Sequence, residues 1–320
     1  MLNIILEPFY TDIELEKRKG EFINSNEYIY TVDRDCNLYN TDGKLVFIFR
    51  KNRIPQEHTS IALNNLKKIA KPKRDNRGVA SGFLDLENLS NGVTKERIIS
   101  YNKFRVNKYI GLNGQILKRS FGNPSSSNII GYYENQDRNY GKESPRCRQT
   151  SFTAKQVTKW NEVLGFINCI SNLYKELAKK EYYKQLEEAN KTEFHIKNTP
   201  FSTITVNYNW RTALHKDEGD FKYGLSAFTI CQEGEYKGLN LGIPKYRICI
   251  DVREGDLLLF DPHEYHCNTE LESHSKEWTR LSFVLYLREE MSKYCSNITL
   301  DESIKKMNDA SLKRWGKPYI

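Results

Sequence analysis

The sequence of 320 residues has no run of apolar residues long enough to cross a membrane, which needs about 18 consecutive positions. Residues 1–9 are partly apolar, but they lack both the basic segment and the small-residue cleavage site of a signal peptide. These absences argue against a membrane-spanning or secreted protein. We therefore expect a protein of the cytoplasm or the nucleus that has no membrane partner.

The sequence also lacks paired cysteines. It contains no CxxC motif, and an odd, scattered set of cysteines argues against a disulfide framework or a zinc finger. Reduced thiols are therefore predicted, as is usual for proteins of the cytoplasm or nucleus. The seven cysteines are Cys36, Cys147, Cys169, Cys231, Cys249, Cys267 and Cys295.

An acidic excess is absent as well. The 49 Lys and Arg residues outnumber the 41 Asp and Glu residues, which gives a net charge of +8. A basic chain permits an anionic partner such as nucleic acid, although it does not require one. The sequence has no internal repeat and no long low-complexity linker, and nothing in it indicates an obligate protein partner.

The first of three predicted regions is a mixed α/β region over 1–150, whose elements are expected to integrate with the core and bind substrate. Short strands are predicted within 27–50 and a helix over 58–70. A basic stretch follows that helix. Residues 120–150 have the composition of a long loop, and loops of this length inside a compact domain are usually functional or disordered.

The second region, 151–290, combines a helix with a series of short strands. Apolar residues recur every three or four positions over 153–190, which predicts a helix with a capping box at Thr153 and Gln156 and a break near residue 180. After residue 200 the period changes to two, which predicts an antiparallel sandwich or barrel. The predicted strands span 201–211, 225–232, 246–252, 256–261 and 279–288. The third region, 291–320, is predicted to be a polar, partly helical tail.

His215 and Asp217 follow the first of these strands in the order His-Lys-Asp. Alternate residues of an extended segment point to the same side, so an imidazole and a carboxylate can meet at one point. With a second histidine, these groups would form the facial triad that is typical of non-haem Fe(II) oxygenases. Because His-x-Asp alone is frequent by chance, the interpretation depends on the third ligand.

Two histidines are candidates for that third ligand. His263 and His266 lie three residues apart at the end of a predicted strand, so in an extended segment they face opposite ways. Only one of them is therefore expected to bind metal, and the spacing alone leaves both open.

Arg280 lies on the last predicted strand, on the same face as Ser282, Val284 and Tyr286. An arginine on an inward face needs a buried anion. The C5 carboxylate of 2-oxoglutarate would fit, because a guanidinium binds a carboxylate through two parallel hydrogen bonds. The alternative is an ordinary salt bridge to an aspartate or glutamate.

Several motifs in this part of the chain resemble the TET/J-binding-protein family of Fe(II)- and 2-oxoglutarate-dependent dioxygenases. The match is firm over about 200–289 and weaker at 77–82 (RGVASG) and 146–152 (RCRQTSF). The firm motifs are 201–209 (FSTITVNYN), 215–217 (HKD), 234–239 (GEYKGL) with Pro244, 255–261 (GDLLLFD), 266–268 (HCN), and Arg280 followed six residues later by Tyr286. The resemblance implies an α+β fold with a double-stranded β-helix (jelly-roll, cupin-like) core supported by helices.

The resemblance also implies a role for each candidate residue. His215, Asp217 and His266 would hold Fe(II), and Arg280 would bind 2-oxoglutarate, which is consumed together with O2. Tyr286 would pack against the first metal histidine, and Asn207 and Tyr208 are further candidates for contact with the cosubstrate. The predicted substrate-binding residues are Asp220, Arg77, Arg146, Arg148 and Asn268. A bound duplex would receive phosphate contacts from Lys67, Lys68, Lys71, Lys73 and Arg74, although a charge run taken alone is more often a solvated surface.

The family resemblance implies oxidation of the methyl group of a 5-methylpyrimidine in nucleic acid, with DNA preferred as the substrate. A duplex substrate would have to present its base flipped out of the stack. Two alternatives stay open: a 2-oxoglutarate-dependent hydroxylase of a peptide side chain or small molecule, and an inactive β-helix that only binds. The sequence leaves open thymine or 5-methylcytosine, DNA or RNA, and the extent of oxidation.

Overall fold

The computed structural model describes residues 2–89, 92–135 and 145–320. In this part of the chain no helix combines the length and the apolar character needed to span a membrane. Part of the predicted loop at 120–150 falls on residues 136–144, which lie outside the described residues.

Strands occupy both halves of the chain. In the first half they are β1 (Leu2–Leu6), β2 (Tyr30–Val32), β3 (Cys36–Asn40), β4 (Leu45–Arg50), β5 (Ile98–Tyr101), β6 (Val106–Ile110), β7 (Ile116–Leu117), β8 (Ser127–Glu134) and β9 (Cys147–Gln149). In the second half they are β10 (Thr203–Tyr208), β11 (Ser226–Glu233), β12 (Tyr236–Gly238), β13 (Leu241–Ile243), β14 (Ile248–Ile250), β15 (Leu257–Phe260), β16 (Cys267–Asn268), β17 (Leu271–His274) and β18 (Thr279–Tyr286).

Helices lie near both ends of the chain, between β4 and β5, and between the two sets of strands. They are α1 (Asp12–Lys17), α2 (Gln56–Ala70), α3 (Ser151–Lys155), α4 (Val157–Leu177), α5 (Lys179–Ala189), α6 (Glu289–Cys295) and α7 (Leu300–Trp315).

Two facing sheets form the centre of the molecule. The larger has nine strands in the order β1-β3-β4-β15-β11-β18-β10-β8-β9, and the smaller has the order β16-β13-β14-β2. Side chains alternate between the faces of a strand, so Phe228 and Leu258 of the larger sheet meet Leu241 and Ile250 of the smaller one in a buried cluster. This is the predicted α+β fold with a double-stranded β-helix, and the prediction is confirmed.

Helices α2 and α4 cover the other face of the larger sheet. Buried residues of these helices, such as Leu66 and Phe166, pack against Val206 and Phe283, which point away from the smaller sheet. The ring of Phe166 meets that of Phe283 edge to face, with the centroids 5.2 Å apart. The helices therefore fix one face of β10 and β18 and leave their other face for the cavity between the sheets.

The predicted strands after residue 200 and the helix after 58 are all present, with shorter or slightly shifted bounds. The break near 180 is confirmed at Ala178, between α4 and α5. The predicted capping box is wrong: Thr150 caps α3 by accepting from the Thr153 amide, and α4 starts separately after Gln156. The loop prediction for 120–150 missed β8 and β9.

The prediction that every cysteine is reduced is also wrong for one pair. Cys147 of β9 and Cys295 of α6 form a disulfide, whereas the other five cysteines are free. The partners are separated by 148 positions in the sequence. The region boundaries near 150 and 290 stay a prediction, and the larger sheet contains strands from both sides of residue 150.

Candidate metal centre

The backbones of His215 and His266 form an isolated antiparallel bridge between the two halves of the site. Each amide donates to the carbonyl of the other residue at 3.0 Å. The Asp217 amide donates to the Pro262 carbonyl at 3.0 Å. The segment after β10 is thereby fixed to the segment before β16, although 51 positions separate the two histidines.

Both imidazoles are oriented by a backbone carbonyl. His215 Nδ1 donates to the Ala213 carbonyl at 2.7 Å, and His266 Nδ1 donates to the Glu264 carbonyl at 2.9 Å. A histidine that donates from one nitrogen offers its other nitrogen as a lone-pair ligand. The two Nε2 atoms are therefore the free donors, and they face the Asp217 carboxylate.

The three candidate ligands converge on one point. His215 Nε2 lies 3.6 Å from Asp217 Oδ1, and His266 Nε2 lies 3.5 Å from Asp217 Oδ2. One ligand atom from each residue can be chosen so that all three lie within 4.8 Å of one another. Two imidazoles and a carboxylate on one side of a metal suit a divalent transition metal and leave other positions open.

The electrostatics of His215 and Asp217 match the protonation states that a metal requires, whereas burial would lower the pKa of His266 but contact with Asp217 raises it. Burial and the neighbouring His266 together lower the pKa of His215 to about 4. Burial alone would raise the pKa of Asp217, but contact with His266 and the nearby charges of His215 and Arg77 lower it to about 2. At neutral pH Asp217 is therefore anionic and His215 is neutral, as metal ligands must be.

The structure brings His266, and not His263, to this centre. His263 is partly exposed and turns back toward Asp261, with Nδ1 at 3.3 Å from the Asp261 Oδ1 atom. His266 is buried, and its ring lies 4.4 Å from that of His215 between centroids.

A cavity of about 380 Å³ opens beside the three ligands. Its walls come from both sheets, and the 3₁₀ turn Gly78–Ser81 contributes to its roof. Five further residues predicted for the site line it, namely Asn207, Tyr286, Asp220, Arg77 and Asn268.

Polar contacts hold these cavity residues in place. Asn207 accepts a hydrogen bond from Ser127 and donates to Ser282 Oγ at 3.2 Å. Asn268 accepts from Thr212 Oγ1 at 2.8 Å. Tyr286 was expected to pack against His215. Its hydroxyl instead lies 3.5 Å from the hydroxyl of Thr205, and the ring next to His215 is that of His266.

Asp220 lies at the edge of the cavity on the loop after the metal-ligand segment. Its carboxylate is buried and accepts a hydrogen bond from Ser226 Oγ at 2.8 Å. Burial and the nearby charge of Asp217 raise its pKa well above the ordinary value. The cavity therefore contains a carboxyl group that can exist in the protonated form and then donate as well as accept a hydrogen bond.

Arg280 lies beyond the end of the cavity, in the protein interior. It is 1% exposed, and its Nη2 donates to the Leu239 carbonyl at 3.3 Å. Its Nε and Nη1 atoms are buried without a hydrogen-bond partner among the described residues. No carboxylate of these residues lies within ion-pair distance of the Arg280 guanidinium. Of the two alternatives for Arg280, the ordinary salt bridge is therefore absent among the described residues.

The position of Arg280 suits a dicarboxylate that enters through the cavity. Phe228 lines the cavity, and its ring centroid lies 5.9 Å from the Arg280 guanidinium carbon. Asn268, which also lines the cavity, donates to the same Leu239 carbonyl as Arg280. A buried cation with two free donors is stabilised by an anion that reaches it, so the residues present fit 2-oxoglutarate.

Besides Arg280, three predicted site residues lie away from the cavity. Tyr208 is adjacent to Asn207, so it points to the opposite face of β10, where it packs against the helix cluster and near Lys71. Arg146 pairs with the buried Glu134 and stacks over the Tyr294 ring. Arg148 lies over the Tyr133 ring and contacts Met307.

Sequence reasoning missed other residues of the cavity wall. Thr205 and Ser282 share strand faces with Asn207 and Arg280, so the same alternation could have identified them. Arg288 also lines the cavity and lies 3.8 Å from Glu134. Lys19, which pairs with Glu218 at 3.0 Å, reaches the cavity from the N-terminal segment, and no sequence signal pointed to it.

Comparison with known proteins adds an independent observation. The family model Tet_JBP, described as the oxygenase domain of the 2OGFeDO superfamily, matches residues 128–289. The chain is 39% identical over 171 residues to thymine dioxygenase JBP1 of Trypanosoma brucei brucei. This match covers 52% of this chain and 20% of that protein. The chain is also 31% identical over 255 residues to thymine dioxygenase JBP1 of Leishmania infantum. That match covers 75% of this chain and 30% of that protein.

The matched part therefore spans less than a third of the length of these curated relatives. Among solved structures, NgTET1 in complex with 5mC DNA matches with a TM-score of 0.50 and 12% identity, over 89% of this chain and 94% of that one. At this level of identity the structural likeness supports the fold alone.

Proposed function

Because this chain belongs to the Tet_JBP family of oxygenase domains, we propose that it uses Fe(II), 2-oxoglutarate and O2 to oxidise the methyl group of a 5-methylpyrimidine in DNA. Thymine and 5-methylcytosine are the two candidate bases. The relatives that match most of this region are named thymine dioxygenases, which favours thymine. A DNA substrate also fits the cytoplasmic or nuclear location predicted from the sequence.

The observation that supports the proposal most directly is the convergence of His215, Asp217 and His266 beside a cavity. Their ligand atoms lie within 4.8 Å of one another, and both imidazoles present Nε2 to the same point. We assign these three residues to the metal and Arg280 to the far carboxylate of 2-oxoglutarate. We also assign Asn207, which is held between Ser127 and Ser282, to the orientation of the cosubstrate.

Bound Fe(II) and 2-oxoglutarate would supply the activation of O2 that oxidation of a C–H bond requires. The chain contributes the position of the reactants. Apolar walls formed by Phe228, Leu241 and Val284 limit the access of water, and the backbone bridge of the two histidines fixes the ligand geometry. The side chains of Tyr286 and Asp220 line the cavity and reduce the space that is open to the substrate.

A methyl group within the base stack cannot reach a metal that lies between two sheets, so the nucleotide has to be flipped out of the duplex. Asp220 and Arg77 both line the cavity, and we assign them to the flipped base and to the phosphates beside it. Asp220 in its protonated form could donate a hydrogen bond to a pyrimidine carbonyl oxygen.

The test is an assay of two products in one reaction. The purified protein is loaded with Fe(II) and incubated with 2-oxoglutarate and duplex DNA that contains both thymine and 5-methylcytosine. Succinate and 5-hydroxymethyl nucleosides, measured by mass spectrometry, should rise together and should be absent with Asp217→Ala. Succinate that rises with peptides or small molecules, with no modified nucleoside from DNA, would instead support the hydroxylase alternative.

A further inference from the structure

A segment around one small sheet carries an excess of positive charge. Strands β5, β6 and β7 form a separate three-stranded sheet. Residues 95–119, which contain this sheet, have seven cationic residues and one anionic residue, a net charge of +6 out of +8 for the whole chain. We call this segment the basic sheet; its cations are Lys95, Arg97, Lys103, Arg105, Lys108, Lys118 and Arg119.

Few of these charges are neutralised within the protein. Within the described residues, Arg119 is the one member of the set that forms an ion pair with a carboxylate, at 3.4 Å from Asp75. Arg97 donates to the neutral carbonyls of Gly92 and Ile110. Like charges held close together on a small sheet repel one another, so an unbalanced set is stabilised by a polyanion.

The basic sheet is attached to the roof of the cavity. The Leu84 amide donates to the Lys103 carbonyl at 2.7 Å, and the Phe83 ring stacks on that of Phe104 with centroids 5.6 Å apart. Arg105 reaches the roof turn, since its Nη1 lies 3.9 Å from the position that a side chain on Gly78 would take. The next residues of this turn, Val79 and Ala80, line the cavity.

A groove of about 710 Å³ continues from the basic sheet toward the end of α2. Three cations line it, Lys73 and Arg74 from the segment after α2 and Arg119 from the basic sheet, against the single anion Asp75. The two walls are joined by a backbone bridge between Arg74 and Ser125. The groove therefore connects the predicted basic stretch with the small sheet in one cationic surface.

We propose that the basic sheet and this groove bind the phosphate backbone of the DNA whose base enters the cavity. The inference rests on the proposed function, because a flipped base enters the cavity while its flanking phosphates remain outside, next to the roof. Cations attached to the roof are at that place, whereas Arg146 and Arg148 are held elsewhere by Glu134 and Tyr133. Most of the binding energy with DNA would then come from phosphate contacts that do not read sequence.

The test compares two variants with the same change in net charge. The first is Lys103→Gln/Lys108→Gln/Lys118→Gln in the basic sheet. The control is Lys179→Gln/Lys180→Gln/Lys276→Gln, three exposed lysines on α5 and on the loop after β17. Binding of the iron-loaded proteins to a short labelled DNA duplex is measured by fluorescence anisotropy at several salt concentrations, with circular dichroism as the check on folding.

Each phosphate contact contributes ~0.9 to the slope of log K against log salt, so the first variant should lose about 2 to 3 from this slope. Its Kd at low salt should rise about tenfold or more, while the control should bind like the wild type. Equal binding by the two variants would overturn the inference. If the triple variant is unstable, Lys118→Glu compared with Lys180→Glu, both at exposed positions, provides a pair with the same change in charge.

The same measurement with an RNA duplex of matching sequence tests the choice of polymer. Tighter binding of RNA through these lysines would overturn the assignment to DNA. A different result would contradict the proposed function and not this inference: the wild type binds DNA through the basic sheet but forms no modified nucleoside. Conversely, methyl oxidation by a wild type whose binding does not depend on these lysines would leave the proposed function and remove this inference.

Discussion

His215 and His266 are joined through their backbones, each amide donating to the carbonyl of the other at 3.0 Å. The bridge places the two imidazoles next to each other, with 4.4 Å between the ring centroids and 51° between the ring planes. A site whose ligands are held in place by the backbone loses little conformational freedom when the metal binds. The effects of substitutions at this site should therefore reflect the loss of a ligand rather than a collapse of the fold.

Asp217→Ala should abolish turnover and most Fe(II) binding, because the variant loses the anionic ligand of the set. The fold should be retained, since the hydrogen bond from the Asp217 amide to the Pro262 carbonyl and the bridge between His215 and His266 do not involve the Asp217 side chain. Iron content after anaerobic loading and succinate production measure the effect. Asp33→Ala, at an exposed position remote from the cavity, is the control. Normal iron content in Asp217→Ala would show that the metal lies elsewhere.

His266→Ala and His263→Ala form a matched pair that tests the choice of the third ligand. His266→Ala should be iron-poor and inactive. His263→Ala should retain iron and measurable succinate production, because His263 faces Asp261 and not the other ligands. Iron analysis and turnover of both purified variants decide between them. The opposite result, with iron lost from His263→Ala alone, would require a different distal ligand.

Arg280→Lys should raise the KM for 2-oxoglutarate much more than the KM for DNA. The two unpartnered donors Nε and Nη1 are lost, and lysine offers a point charge in place of a fork. Hydrogen bonds to a charged group contribute about 1.5–3 kcal/mol, which corresponds to roughly a tenfold to hundredfold rise in KM. Arg253→Lys is the control, because Arg253 has its own carboxylate partner in Asp251. An unchanged KM for 2-oxoglutarate would place the cosubstrate elsewhere.

Asp261→Asn should destabilise the protein at neutral pH and have little effect near pH 2. Burial alone would raise the pKa of Asp261, but hydrogen bonds from His263 and Lys44 lower it to about 2. A lowered pKa means that the stabilisation is present above the ordinary value near 4 and is lost as the pH falls toward 2. It corresponds to about 2 kcal/mol at pH 7.

Urea unfolding of wild type and Asp261→Asn at pH 7 and at pH 2.5 measures this dependence. Asp33→Asn serves as the control, since Asp33 and its partner Arg34 are both exposed and such pairs contribute little. A difference between wild type and Asp261→Asn that is the same at both pH values would show that packing, and not the charge of Asp261, is responsible.

Local patterns in the sequence were sufficient for the longer strands after residue 200. The period of two after residue 200 identified β10, β11, β14, β15 and β18, because side chains of a strand alternate whatever the rest of the chain does. The same alternation predicted that the side chains of His215 and Asp217 point to the same side of the chain. The chemistry of two imidazoles and a carboxylate then indicated the metal.

The tertiary structure decided what alternation could not. His263 lies in a turn, whereas His266 forms the bridge with His215 just before β16, so their directions depend on contacts with Asp261 and His215. Arg146 looked like a substrate residue until Glu134 and Tyr294, from distant parts of the chain, came next to it.

Long-range pairing is also the reason that the disulfide and the basic sheet were not predicted. Cys147 and Cys295 are 148 positions apart, and a scattered pair of cysteines has no local signature. The cations of 95–119 are visible in the sequence, but their place on the roof of the cavity depends on the contacts of Leu84 and Phe83 with that sheet. The sequence by itself determined the ligand types and the strand faces, since these depend on neighbouring residues. The choice among ligands and the position of the charged surface depend on contacts between distant segments, which only the folded chain brings together.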